Sequence, residues 1–238
     1  ISPDGNRLLA EARGDIFFFF AENGFVKNIT QSPGFAERYP AWSPNGKQLA
    51  YWSDEGGEYN LWIKENGLAP KKITNFTSGF NYSLYWSPDS KMLAFIDKAM
   101  KIKYCDVATG KTYDIDKALY FMHGACEAFI LSWSPDSRWI AYTRDLSNFH
   151  KAAFIYDTKN KTTKQVTSGY YNIGDLVFDE QGKYLLLTTN QAFNPYYSDL
   201  DNSFVYGNST QLAAISLKNS DKSLLYTQNN TVDIKLND

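Results

Sequence analysis

Long apolar runs are absent from this chain, and with them any candidate membrane-spanning helix; the most apolar stretch, Ile16 to Ala21, is strand-sized. Cysteine is scarce. Two residues, Cys105 and Cys126, make no disulfide framework in 238 residues, so the simpler expectation is two partly buried thiols, with pairing as the alternative. Their redox compartment stays open. An excess of charge of either sign is missing too. With 24 basic against 26 acidic residues the net charge is -2, and the basic residues are scattered, so nothing points to nucleic acid as a partner. Phosphate-cradling glycine loops of the Walker or dinucleotide type do not occur, and no cofactor is expected. Histidine is limited to His123 and His150, both in apparent loops, with no Gly-x-Ser-x-Gly elbow to serve; solvent or backbone partners are the simpler expectation for both. His123 with Cys126 supplies two potential metal ligands but no second pair, a poor zinc site. The carboxylates of Asp54, Glu55 and Glu58 are read as a solvated turn, with Gly56 and Gly57 supplying positive φ, because calcium loops need ligands at closer alternating spacing. Asp199 and Asp201 are read the same way.

Aromatic residues, by contrast, are abundant: 17 Tyr, 16 Phe and 6 Trp, or 16% of the chain, a composition that suits pleated sheets. They fall into a repeat. Ser2-Pro3-Asp4-Gly5 recurs as Trp42-Ser43-Pro44-Asn45-Gly46, as Trp86-Ser87-Pro88-Asp89-Ser90 and as Trp133-Ser134-Pro135-Asp136-Ser137, with a degraded copy at Phe178-Asp179-Glu180-Gln181-Gly182. The anchors at 1, 42, 86, 133 and 178 are spaced by 41, 44, 47 and 45 residues, which is the length of a propeller blade.

Each unit reads as four strands. The first runs into the anchor (Tyr39 to Trp42, Ser83 to Trp86, Phe129 to Trp133, Asp175 to Phe178), and the Pro-Asp or Pro-Asn turn leads straight into the second (Gln48 to Trp52, Met92 to Ile96, Trp139 to Thr143, Tyr184 to Thr188). The third is aromatic and alternating, as in Ile16 to Phe20, Asn60 to Ile63, Ile102 to Cys105 and Ala153 to Tyr156. The fourth carries Lys, Thr and Gln, as expected of a half-exposed edge: Val26 to Thr30, Lys71 to Thr74, Thr112 to Ile115 and Lys164 to Thr167. Residues 189–209 read as a long insertion loop, Gln211 to Leu217 and Ser223 to Tyr226 as strands completing the fifth unit, and 231–236 as the start of a further blade. The chain is therefore expected to be all-β: residues 1–238 form a single β-propeller segment of four-stranded antiparallel blades, about five to six of them, incomplete or part of a seven-bladed ring. It opens in the middle of a repeat, so its true N-terminus is expected upstream and targeting cannot be read.

The wording of the repeats resembles the tricorn protease family. Glu11-Ala12-Arg13-Gly14-Asp15-Ile16-Phe17, Asn28-Ile29-Thr30, Ala36-Glu37-Arg38-Tyr39-Pro40-Ala41-Trp42 and Ser53-Asp54-Glu55-Gly56-Gly57-Glu58-Tyr59 carry the likeness, and Trp133 to Tyr142 continues it. The Ser-Pro-Asp-Gly turn alone is shared with TolB-type and prolyl-oligopeptidase-type propellers. The resemblance implies the second, larger propeller of a serine peptidase that trims peptides, with its catalytic Ser and His in a separate core beyond a PDZ-like module. It further implies a role as a filter or channel for peptides, a homo-oligomeric full-length protein and a cytoplasmic location, with the periplasm or secretion left open by the unread N-terminus. No residue here matches the family's catalytic positions.

Candidate contacts follow from topology. First strands line a propeller's axis, so residues at their entrances face the channel or its mouth: Glu37, Arg38 and Tyr39, then Asn81 and Tyr82, then Tyr170, Tyr171 and Asn172. Tyr and Arg suit peptides, since rings pack on side chains while hydroxyl and guanidinium groups reach carbonyls. Arg38 could equally pair with Glu37 or with an acid of a neighbouring blade. Two other classes compete with the peptidase propeller: a stand-alone TolB-like module binding proteins or peptides, and an enzyme, such as a glutaminyl cyclase or lyase, with its site on the propeller.

Overall fold

In a computed structural model of the chain, which describes residues 1–119, 126–191, 196–198, 203–205, 207, 209–221 and 223–224, the second strand of each central sheet serves two neighbours at once. In Gln48–Ser53, Leu49 and Tyr51 pack with Ile16 and Ile29 of the preceding sheet, while Ala50 and Trp52 pack with Leu84, Trp86, Leu93 and Phe95 of the following one. The pattern repeats one sheet on. Leu93 and Phe95 face back, whereas Ala94 and Ile96 join Trp133, Ile140 and Tyr142. Next, Ala141 joins Ile173, Leu176 and Leu185. A strand buried on both faces must be apolar at every position, which is why these runs read as continuous rather than alternating. Sheets stacked face to face in chain order are the outcome.

There are five such sheets among the described residues, all antiparallel. The first holds Arg7–Ala12, Asp15–Phe20 and Lys27–Asn28; the second Glu37–Trp42, Gln48–Ser53, Asn60–Glu65 and Lys71–Lys72. The third holds Tyr85–Trp86, Met92–Ile96, Lys101–Asp106 and Thr112–Lys117; the fourth Leu131–Trp133, Trp139–Asp145, Lys151–Asp157 and Thr162–Gln165. The fifth holds Ile173–Phe178, Tyr184–Thr189 and Gln211–Ser216. Among the described residues the sheets do not close into a ring.

The repeated turn explains itself chemically. The Ser87 hydroxyl donates to Asp89 Oδ1 at 2.6 Å and accepts from the Met92 N–H at 2.9 Å, so one side chain ties both ends of the bend. Ser43 does the same with Asn45 and Gln48. The degraded copy keeps the function with different atoms: the Asp179 carboxylate alone accepts from the N–H groups of Gln181, Lys183 and Tyr184. Those bonds hold its carboxyl below the usual aspartate range.

Two sets of bonds bolt sheet to sheet. The Trp86 indole donates to the Ala41 carbonyl and the Trp133 indole to the Tyr85 carbonyl, both at 3.0 Å and both to the residue before the preceding anchor. At the turns, Ser90 Oγ accepts from the Asn45 N–H at 3.2 Å and Ser137 Oγ from the Asp89 N–H at 3.0 Å.

The fourth strands of the first and second sheets are shorter than the composition predicts. Thr30 and Thr74 do not extend them, because their hydroxyls accept the N–H groups of Ile16 and Leu61 in place of a backbone carbonyl. The insertion after Thr189 is not wholly loop: Tyr196–Tyr197 pairs with Phe204–Val205 as a small hairpin. No disulfide joins Cys105 and Cys126, and burial pushes the Cys105 thiol up to about 12. His123, Asp199, Asp201, Tyr226 and 231–236 lie outside the described residues.

Candidate functional site: the entrance face of the first strands

The connections from one sheet's last strand to the next sheet's first lie at the same end of the stack as the loops joining second and third strands. At this end the first strand of the second sheet is bulged between Arg38 and Ala41, and Tyr39 takes a φ of 52° ahead of Pro40. A non-glycine residue in the left-handed region is uncommon, and a bulge re-aims the side chains around it. Here it swings the Tyr39 ring toward the third sheet, edge-on to Phe80 at 6.3 Å and to Tyr82 at 6.1 Å. Phe80 in turn meets Tyr82 at 5.1 Å and Tyr59 at 5.2 Å, both edge-to-face. Arg38 donates from Nε to the Tyr59 hydroxyl at 3.3 Å and from Nη1 to Glu11 Oε1 at 2.8 Å, and Glu11 Oε2 accepts the Tyr39 N–H at 2.9 Å. The Tyr59 bond leads the forces that hold the Arg38 guanidinium above its ordinary value, so it stays cationic.

The result is a half-buried patch of four rings edged by an Arg–Glu pair. Its polar atoms can donate to carbonyls and its rings can take apolar side chains. Of the entrance residues named from the sequence, Arg38, Tyr39 and Tyr82 meet in this patch. Arg38 pairs with an acid of the neighbouring sheet, Glu11, rather than with Glu37. Glu37 is 2% exposed, takes a bond from the Ser32 hydroxyl, and has its carboxyl pushed up by burial. Its carboxylate accepts from Ser32, on the connection out of the first sheet, and from Ser53, at the end of its own sheet's second strand. Asn81 is likewise buried at 5% exposure and bridges to Asp97. Both residues are thus buried rather than exposed at this face. Tyr170 and Tyr171 are exposed on the connection into the fifth sheet, away from the patch, which sits at the entrances of the second and third sheets. Glu11, Tyr59 and Phe80 complete the patch without having been singled out. Phe80 lies two residues before Tyr82 on the same entrance, whereas Glu11 and Tyr59 come from a neighbouring sheet and a loop and had no local signal.

The acidic turn proves to be a brace, with Asp54 Oδ1 accepting the Ala36 N–H at 2.7 Å across the connection between first and second sheets. No group of three or more metal-ligating side chains occurs among the described residues. His150 Nδ1 is buried with no hydrogen-bond partner there, and its backbone N–H goes to Asn148. No helix among the described residues is long and apolar enough to cross a membrane.

Stacked antiparallel sheets of three or four strands, bolted by anchor indoles and presenting one aromatic entrance face, define a β-propeller module. The family description "Tricorn protease second beta propeller domain" matches residues 1–238, and the chain belongs to that family. It is 25% identical over 224 residues to the tricorn protease of Thermoplasma volcanium, covering 92% of this chain and 21% of that protein. It is 29% identical over 113 residues to dipeptidyl-peptidase 5 of Porphyromonas gingivalis, covering 40% of this chain and 16% of that one. Among solved structures, a crystal structure of the tricorn protease superposes with a TM-score of 0.78 at 17% identity, over 92% of this chain and 21% of the other. A putative TolB from Agrobacterium tumefaciens superposes at 0.57 and 18% identity, over 91% and 75%. The chain thus spans about a fifth or less of the length of these peptidase relatives.

Proposed function

We propose that this chain is a non-catalytic propeller segment of a tricorn-like serine peptidase, and that its entrance face contacts peptides on their way to or from a catalytic core elsewhere in the parent protein. The patch of Arg38, Tyr39, Tyr59, Phe80 and Tyr82 on a bulged first strand carries the reading. Further sheets of the parent chain are its immediate partners. Leu8 and Phe19 on the first sheet, and Val177 and Leu212 on the fifth, are exposed on faces that a neighbouring sheet would cover. Assembly of the full-length protein into homo-oligomers, and a cytoplasmic location, belong to the same reading.

The test is peptide binding by the full chain, followed by fluorescence anisotropy with labelled unstructured peptides. Arg38→Ala and Tyr59→Phe should each weaken binding by about 3- to 10-fold, the equivalent of roughly 1 kcal/mol, with unchanged melting temperature. Equal affinity in all three proteins would sink the peptide-contact reading, and peptide cleavage by the chain alone would sink the non-catalytic one. Binding of a folded protein but no peptide at this face would favour a TolB-like platform instead.

A further inference from the structure

A second recess lies between the fourth and fifth sheets, and it is built differently. Asp145 and Thr189 end the second strands of these sheets, and the alternation that sends Ala141 and Leu187 into the shared core sends both toward the same gap. Above that core the gap opens into a cavity of about 360 Å³, lined among others by Asp145, Phe149, Lys151, Asn172, Ile173 and Thr189. Its size is at the lower end for small-molecule sites, about 300–1,000 Å³. Gly174 also lines it, where a Cβ would stand 2.2 Å from the Thr188 hydroxyl, so the wall is formed by the absence of a side chain.

Two of the residues lining this cavity carry a buried polar atom with no hydrogen-bond partner among the described residues: Asp145 Oδ2 and Thr189 Oγ1. Their residues are 2% and 3% exposed. A buried carboxylate oxygen without a partner is costly. Lys151 stands directly across the strand pair from Asp145, yet no ion pair within 4.0 Å joins them among the described residues. Burial pushes the Asp145 carboxyl up and the nearby Lys151 ammonium pulls it back down, so the two feel one another without being neutralised by contact. Lys151 is held in place through its own backbone, whose N–H donates to Asn172 Oδ1 at 2.9 Å. The cavity therefore offers an anion and a cation on one wall, a hydroxyl opposite, and Phe149 and Ile173 for an apolar group.

We propose that this inter-sheet cavity binds a small zwitterion of amino-acid type, its ammonium on Asp145 and Thr189, its carboxylate on Lys151 and its side chain against Phe149 and Ile173. The site is separate from the aromatic patch and does not depend on the peptide-contact reading.

Titrations of the full chain with L-leucine, N-acetyl-L-leucine and L-leucinamide, followed by NMR, test it. Leucine should bind, and each blocked compound, lacking one charge, should bind at least about tenfold more weakly, as loss of a charge-assisted contact implies. Asp145→Asn should abolish the preference for leucine over N-acetyl-leucine, and Lys151→Met the preference over leucinamide. Arg38→Ala should change neither. Should Asp145→Asn fail to fold, Thr189→Val, which keeps the side-chain shape, should weaken leucine several-fold with its melting temperature preserved. No binding of leucine at about 10 mM, equal binding of all three compounds, or discrimination that survives the substitutions would overturn the proposal.

Discussion

Ser137 stands where the other copies of the turn have glycine or serine, and it holds a φ of 59°. A side chain in that region costs of order 1 kcal/mol, but the Ser137 hydroxyl accepts the Asp89 N–H of the preceding turn, a bond that glycine cannot accept. Ser137→Ala keeps the strain and loses the bond, so it should destabilise the chain by about 1–2 kcal/mol; Ser137→Gly loses both and should cost less. Urea denaturation of the two variants checks the order. Asp157 shows a similar concentration of interactions. Arg138 donates to it twice, at 3.0 and 2.6 Å, and the N–H groups of Lys159 and Asn160 donate as well. The Arg138 bonds lead the forces that depress its carboxyl far below the ordinary 3.8. With a folded value below the unfolded one, its stabilisation is present above about pH 4 and is lost as pH falls through the folded value. Acid unfolding of Asp157→Asn should therefore show a shallower decline below pH 4 than the parent, measured by denaturation at stepped pH. The serines and Asp179 of these turns were legible as a repeat. The inter-turn bond of Ser137 was not, because its donor lies 48 residues away.

The sheet is the element that the repeat specifies most fully. Second strands fall where the apolar runs lie, from Met92–Ile96 without adjustment to Trp139–Asp145 with two further residues. The fourth strands of the first and second sheets are less faithful to composition because the hydroxyls of Thr30 and Thr74 take over their pairing. Between sheets, indole bonds set the relative height of neighbours. Trp133→Phe retains the ring but leaves the Tyr85 carbonyl without its donor, and should cost about 1–3 kcal/mol, more than area loss alone. Trp42 is the control. Its indole Nε1 is buried with no partner among the described residues, so Trp42→Phe should cost less than Trp133→Phe in the same thermal-melt comparison. First strands were legible as strands, but their bulges were not. The bulge at Arg38 to Ala41 is what separates an outward Tyr39 from a buried Glu37, and nothing in the local pattern marks the extra residue.

Across the whole molecule, each inner sheet is covered on both faces and each outer sheet on one. Sheet stacking thus makes stability depend on neighbours, as in other repeat proteins. It also creates the two recesses of interest, since both the aromatic patch and the zwitterion cavity draw on residues of adjacent sheets. The sequence alone determined the all-β class, the blade period, the anchor turns and the family likeness. These rest on short-range physics: strand alternation, proline and aspartate turn chemistry, and a repeat length that recurs along the chain. Tertiary structure alone decided which entrance residues reach a surface and which are buried, that Arg38 finds Glu11, and that Asp145 and Thr189 share a cavity. Those outcomes depend on which faces two sheets turn toward each other and on how a bulge shifts register. Both are settled by packing between segments some 45 residues apart, a separation over which no local pattern carries information.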